Sequence, residues 1–218
     1  MRDVFHEQLD AVFVDLSTIC GQVETAVSQA TRSLLEADVE VAEQVISGDV
    51  AIDRARVEVE EKCFELLSLQ QPVACDLRVV VAALRMVTEL ERMGDLSVHV
   101  AKIARMRVPE RAVPAEVQPT MSRMAEVAQD MVKRVVQIIV DRDVSAAIEL
   151  GRDDEIMDQL RRASFAQLLG DDWAHGVEAA VDIALLGRYY ERIADHAVSV
   201  ANRVVFVVTG RNPRAVEA

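Results

Sequence analysis

Glu91-Arg92-Met93-Gly94-Asp95 returns 100 residues later as Glu191-Arg192-Ile193-Ala194-Asp195, and both copies sit in long proline-free stretches whose apolar residues recur with helical spacing. A period near one hundred residues describes a duplicated helical domain rather than a short-repeat solenoid. Side chains at i and i+4 of a helix lie one above the other, so each copy stacks two carboxylates on one face. Such a like-charge pair costs about 0.2–0.5 kcal/mol in an isolated helix. Its appearance at two matched positions asks for a compensating cation, either a metal ion or a basic partner.

Leu9, Val12, Phe13, Leu16, Ile19, Val23, Val27, Ala30 and Leu34 follow the i, i+3, i+4, i+7 rule of one long amphipathic helix, with no strand alternation. Asp38 opens a segment carrying Val39, Ala42, Val45 and Ile46, and Ser47-Gly48-Asp49 predicts a break and a new cap. The following helix runs to about Gln71, where Pro72 stops it, and a third long helix starts near Val73 and continues through Val80, Leu84, Val87, Leu90, Val98 and Ile103. Pro109, Pro114 and Pro119 then crowd one polar stretch, the natural boundary between halves.

The second half repeats the first. Met121, Met124, Val127, Met131, Val135 and Ile138 make its first helix, and Asp143-Val144-Ser145-Ala146-Ala147 mirrors Asp38-Val39-Glu40-Val41-Ala42. At the same offset of 105, Asp49-Val50-Ala51-Ile52-Asp53 finds its counterpart in Asp154-Glu155-Ile156-Met157-Asp158, a second duplicated carboxylate pair. Gly170-Asp171-Asp172 leads into the last helix, with Val177, Val181, Ala184, Leu185, Val198 and Val205, before Gly210 and Pro213 end it. The expectation is an all-α chain of six main helices, in two tandem three-helix bundles related by internal duplication. One bundle covers 1–108, a proline-containing linker covers 109–119, the second bundle covers 120–210, and 211–218 is a loose tail. A single continuous long bundle is the alternative that periodicity leaves open.

With 51% hydrophobic residues in 218, the chain can bury a sizeable core, and 4% aromatic content means packing by Leu, Val, Ile and Ala. A formal charge of −13 argues against a nucleic-acid partner. The opening Met1-Arg2-Asp3-Val4-Phe5-His6-Glu7 lacks the pattern of a secretory signal, and the longest apolar runs, 79–84 and 204–208, are far too short to span a bilayer, so a cytoplasmic protein is expected. Cys20, Cys63 and Cys75 are odd in number and in no metal-binding spacing, which favours reduced, mostly packed thiols.

Glu91 stands seven residues from Leu84 and from Val98, and Glu191 seven from Ala184 and Val198, so both pairs lie on or near the inward-leaning stripe. Partly desolvated carboxylates need a partner. Glu91, Asp95, Glu191 and Asp195 are the leading metal candidates, with Asp49, Asp53, Asp154 and Asp158 as second-helix contributors, although Asp49 serves equally as a helix cap. Carboxylate oxygen suits hard cations and iron. The bland reading balances these acids with Arg85, Arg92, Arg188 or Arg192 on a solvated face. His99 extends the Glu91, Asp95 line by one turn, as a ligand or as the partner of a nearby carboxylate, whereas His196 points elsewhere on its helix. No Glu-x-x-His occurs, so the di-iron bundle pattern is missing, and no phosphate loop, nucleophile elbow or dinucleotide fingerprint is present. A scaffold or regulator is the simpler class than an enzyme. A carboxylate-bridged metal-dependent enzyme and a metal-storage helical bundle are the alternatives.

The run Pro72-Val73-Ala74-Cys75-Asp76-Leu77-Arg78, the two carboxylate motifs, His196-Ala197 and the closing Val208-Thr209-Gly210 together resemble the PhoU family of phosphate-uptake regulators, over roughly residues 1 to 210. The resemblance implies two three-helix repeats whose E/DxxxD motifs carry multinuclear metal clusters, with Glu91 and Asp95 in one repeat and Glu191 and Asp195 in the other as ligands. The implied metal is iron, manganese, zinc or magnesium. Where the family has Asn four residues after the motif aspartate, this chain has His99 and Ser199. The resemblance also implies a cytoplasmic, homodimeric, negative regulator. Its partners would be the ATPase subunit of a phosphate ABC transporter and a sensor histidine kinase, and it would meet the membrane only through them.

Overall fold

The computed structural model describes residues 2–152 and 154–211, with all their side chains except those of Arg2, Asp3 and Asp154. Helix α1 spans Arg2–Glu36, and Asp38 then caps α2, Val39–Gln70, by accepting a hydrogen bond from the Val41 amide at 3.1 Å. Gln71, in the left-handed region, and Pro72 end that helix, and α3 follows over Ala74–Arg107. Helix α4, Gln118–Asp141, takes Pro119 into its first turn, where a missing amide hydrogen costs nothing. Asp143 caps α5, Val144–Leu150, through the amides of Ser145 and Ala146, as Asp38 does in the first repeat. Helices α6, Asp154–Leu168, and α7, Gly176–Thr209, complete the chain.

The break predicted at Ser47-Gly48-Asp49 does not form. A glycine inside a helix costs about 1 kcal/mol relative to alanine, but Ala42 and Val45 before it and Ile52 after it are all buried on one face, which holds α2 continuous. In the second repeat the matching helix does break, between α5 and α6 at Gly151 and Arg152, so the described residues form seven helices rather than six.

Helices α1, α2 and α3 form one bundle, and α4, α5–α6 and α7 the other. Helix α1 also packs on its counterpart α4, and α3 on its counterpart α7. Helices α1, α3, α7 and α4 therefore close a ring, with α2 outside one side of it and α5–α6 outside the other. One continuous core runs through both bundles, from Leu16, Val23, Met86, Leu90 and Met93 to Met121, Met131, Ile138, Ile193 and Val204. Two polar links and one cation–π contact fix α3 antiparallel to α7. Arg107 donates to Asp182 at 2.6 Å and to Glu178, Glu89 meets His196, and the Arg78 guanidinium lies over the Phe206 ring. The connection between the repeats is tied down by the buried Ala112, Val113 and Val117. Residues 212–218 lie outside the described residues.

Candidate functional site

In the first repeat, Asp49 and Asp53 lie one turn apart on α2, against Glu91 and Asp95 one turn apart on α3. Gly94 sets the spacing of the two helices. A Cβ there would lie 3.2 Å from Cδ1 of the buried Ile52 and 3.4 Å from Oδ1 of Asp49, so the missing side chain lets α2 lie close over the motif. Burial pushes the Asp49 carboxyl above its ordinary range, and the charges of Asp95 and Asp53 push it further, against Lys102 and His99. Burial likewise raises Glu91, helped by Asp95 and opposed by Arg56. None of these four acids makes a hydrogen bond or ion pair among the described residues. Arg56, whose charge acts on Glu91, is gripped by both oxygens of Glu60 at 2.9 and 3.0 Å.

The second repeat is built differently. Glu191 is buried and accepts from Arg161 on one oxygen and from Arg188 on the other. Asp195 is raised by burial and by Glu191. Asp158 is exposed and pairs with Arg162 at 3.7 Å, while the side chain of Asp154 lies outside the described residues. Of the four arginines that the sequence offers as balancing charges, Arg188 is the one that makes an ion pair with a motif carboxylate. Sequence spacing missed Arg161, Arg56 and Glu60. The offset of 105, which aligns Arg56 with Arg161, was the signal available for finding them.

His99 stacks on Tyr189 of α7, with ring centroids 5.3 Å apart, rather than bonding a carboxylate. Among the described residues no group of three or more His, Cys, Asp and Glu side chains could hold a metal ion as placed. A cation in the first repeat would therefore have to draw its four acids together by side-chain rotation. Cys20 and Cys63 are buried and Cys75 is exposed, all three as free thiols, with burial pushing Cys63 up to about 11. A shallow groove of about 240 Å³, lined by Gln22, Thr25, Gln29 and Gln44, reaches Asp49 and Gly94. No helix among the described residues is long and apolar enough to cross a membrane.

A model of the PhoU domain matches residues 16–104 and 121–204, one match per repeat. The Mycobacterium tuberculosis phosphate-specific transport system accessory protein PhoU homolog 2 is 45% identical over 213 residues, covering 98% of this chain and 100% of that protein. The Mycobacterium leprae PhoU homolog 1 is also 45% identical, over 98% of this chain and 96% of its own. Among solved structures, PhoU from Pseudomonas aeruginosa superposes with a TM-score of 0.88 at 27% identity, covering 95% of this chain and 100% of that one. The phosphate transport system regulatory protein PhoU from Streptococcus pneumoniae gives 0.86 at 25%, covering 95% and 98%. With both repeats matched and the fold shared from end to end, this chain belongs to the PhoU family.

Proposed function

We propose that this chain is a cytoplasmic regulator of phosphate uptake that couples the ATPase subunit of a phosphate ABC transporter to a sensor histidine kinase and represses the phosphate-starvation response when phosphate is plentiful. It acts by protein contact, as a homodimer, and catalyses no reaction. Its output is a shift in its partners' populations rather than a product. Relatives alike along nearly the whole chain carry the name of phosphate transport accessory proteins, which supports the phosphate role. The observation that carries the reading at the level of residues is the first-repeat patch. Among the described residues Asp49, Asp53, Glu91 and Asp95 form no ion pair, on a chain of net charge −13. Such a patch fits a basic docking surface or a bridging cation.

A divalent metal, whether iron, manganese, zinc or magnesium, fits these four residues once their side chains rotate toward one another: all are hard oxygen donors, they come from two facing helices, and burial and neighbouring acids already disfavour the bare charges of Asp49 and Glu91. The metal would supply the positive charge that the chain withholds there. The test is charge reversal, Glu91→Lys with Asp95→Lys, in cells lacking the native copy and carrying a phosphate-repressed reporter. Reporter activity in high phosphate, with unchanged helical content of the purified variant, is the expected result. Full repression by the variant would overturn the reading.

A further inference from the structure

We propose that the two carboxylate motifs have parted in function: a divalent cation is held by the first repeat alone, while in the second Arg161 and Arg188 stand where it would bind. The proposal rests on the metal reading of the first repeat given above.

Both oxygens of Glu191 are already occupied, one by each guanidinium, and its side chain is only 10% exposed. A cation entering there would have to strip two charge-assisted hydrogen bonds from a buried carboxylate. Glu91, at the matched position, has neither bond.

Two residue differences account for the contrast. Arg56 and Arg161 occupy equivalent positions at the offset of 105, and four residues further on the first repeat has Glu60 where the second has Phe165. Glu60 holds Arg56 with both oxygens and so keeps it off Glu91. Phe165 offers only a ring face, 5.7 Å from the Arg161 guanidinium carbon, and leaves that guanidinium free to reach Glu191. On the other helix, at the offset of 100, Thr88 stands where the second repeat has Arg188. Thr88 is uncharged and spends its hydroxyl on the Leu84 carbonyl at 3.0 Å. Glu60 is thus a positioning residue: it touches no motif acid, yet it keeps the first motif open.

The experiment is Mn²⁺ titration of the full chain, read by the electron paramagnetic resonance of free Mn²⁺, with circular dichroism to verify folding. Asp95→Asn should abolish Mn²⁺ binding, and Asp195→Asn should leave its stoichiometry unchanged. Glu60→Gln should free Arg56 to swing toward Glu91, whose charge it already feels, and weaken binding by about tenfold or more. Phe165→Glu with Arg188→Thr copies the open arrangement into the second repeat and should add a second class of bound Mn²⁺. Equal losses from Asp95→Asn and Asp195→Asn would overturn the proposal, as would a Phe165→Glu, Arg188→Thr variant that folds and gains nothing. A wild-type chain that binds no Mn²⁺, beside a double variant that does, would sink the metal reading of the first repeat and leave the arginine closure of the second standing.

Discussion

Nδ1 of His196 on α7 lies 2.6 Å from Oε2 of Glu89 on α3, joining the two repeats one residue away from one carboxylate motif and two residues away from the other. His196 is buried, and its hydrogen bond holds the Glu89 carboxyl below its ordinary range against the opposing effect of burial. A carboxyl whose folded value lies below the unfolded one contributes stability that is whole above the unfolded range and drains away as pH falls through the folded value. Glu89→Gln should therefore cost about 1 kcal/mol at neutral pH. The gap to the wild type should close on the acid side. Thermal melts from pH 7 down to the acid limb check this, and a gap that widens toward low pH would refute it.

Tyr190 is buried, and its hydroxyl, pushed upward by burial, lies 3.0 Å from Thr31 Oγ1 on α1. Thr31 already donates to the Val27 carbonyl at 2.9 Å, so the tyrosine is the donor between them. The two deletions are unequal in consequence. Tyr190→Phe removes one bond and leaves Thr31 satisfied, costing about 1 kcal/mol. Thr31→Val strands a buried hydroxyl and should cost more, about 1–3 kcal/mol. The double variant should be milder than the sum of the two, as a double-mutant cycle on denaturant melts will read.

Gly210 ends α7 at φ 73°, and its amide returns to the Phe206 carbonyl at 2.9 Å. A Cβ there would run into Nη1 of Arg78, which comes across from the start of α3 and lies over the Phe206 ring, 5.8 Å from its centroid. Gly176 has a similar φ of 79° but open space around it. Gly176→Ala should lose only the backbone term of about 1 kcal/mol. Gly210→Ala should lose that and the seat of Arg78 as well. A ranking of melting temperatures with Gly210→Ala the lower is the expected result.

Much of this was legible in the sequence, and the limits follow from what spacing encodes. Periodicity fixes which residues of a helix share a face, so the helices, the duplication and the stacking of Asp49 on Asp53 and of Glu91 on Asp95 could all be read from it. It does not say which residue of a neighbouring helix meets that face. Arg161 on α6 and Glu89 on α3 each reach a residue of α7 that lies 30 and 107 positions away, and no rule within one helix points there. The continuity of α2 was misread because Gly48 is a local signal, whereas Ile52 is held by packing against α3.

Glu91 and Glu191 occupy the same place in the duplicated motif, and neutralising them should move stability in opposite directions. Glu91 is pushed above its ordinary range by burial and by Asp95, with no bond to lose, so its ionised form opposes folding. Glu91→Gln removes that opposition. Screening by solvent at this half-buried position limits the gain to a few tenths of a kcal/mol. Glu191→Gln instead takes the charge of a buried carboxylate from between two partly exposed guanidinium groups. Each would keep at best a neutral acceptor, and the loss should be about 2 kcal/mol. Chemical denaturation of both variants in the presence of a chelator isolates this effect from any bound metal. Equal shifts of the same sign would mean that the arginines of α6 and α7 do not distinguish the two motifs.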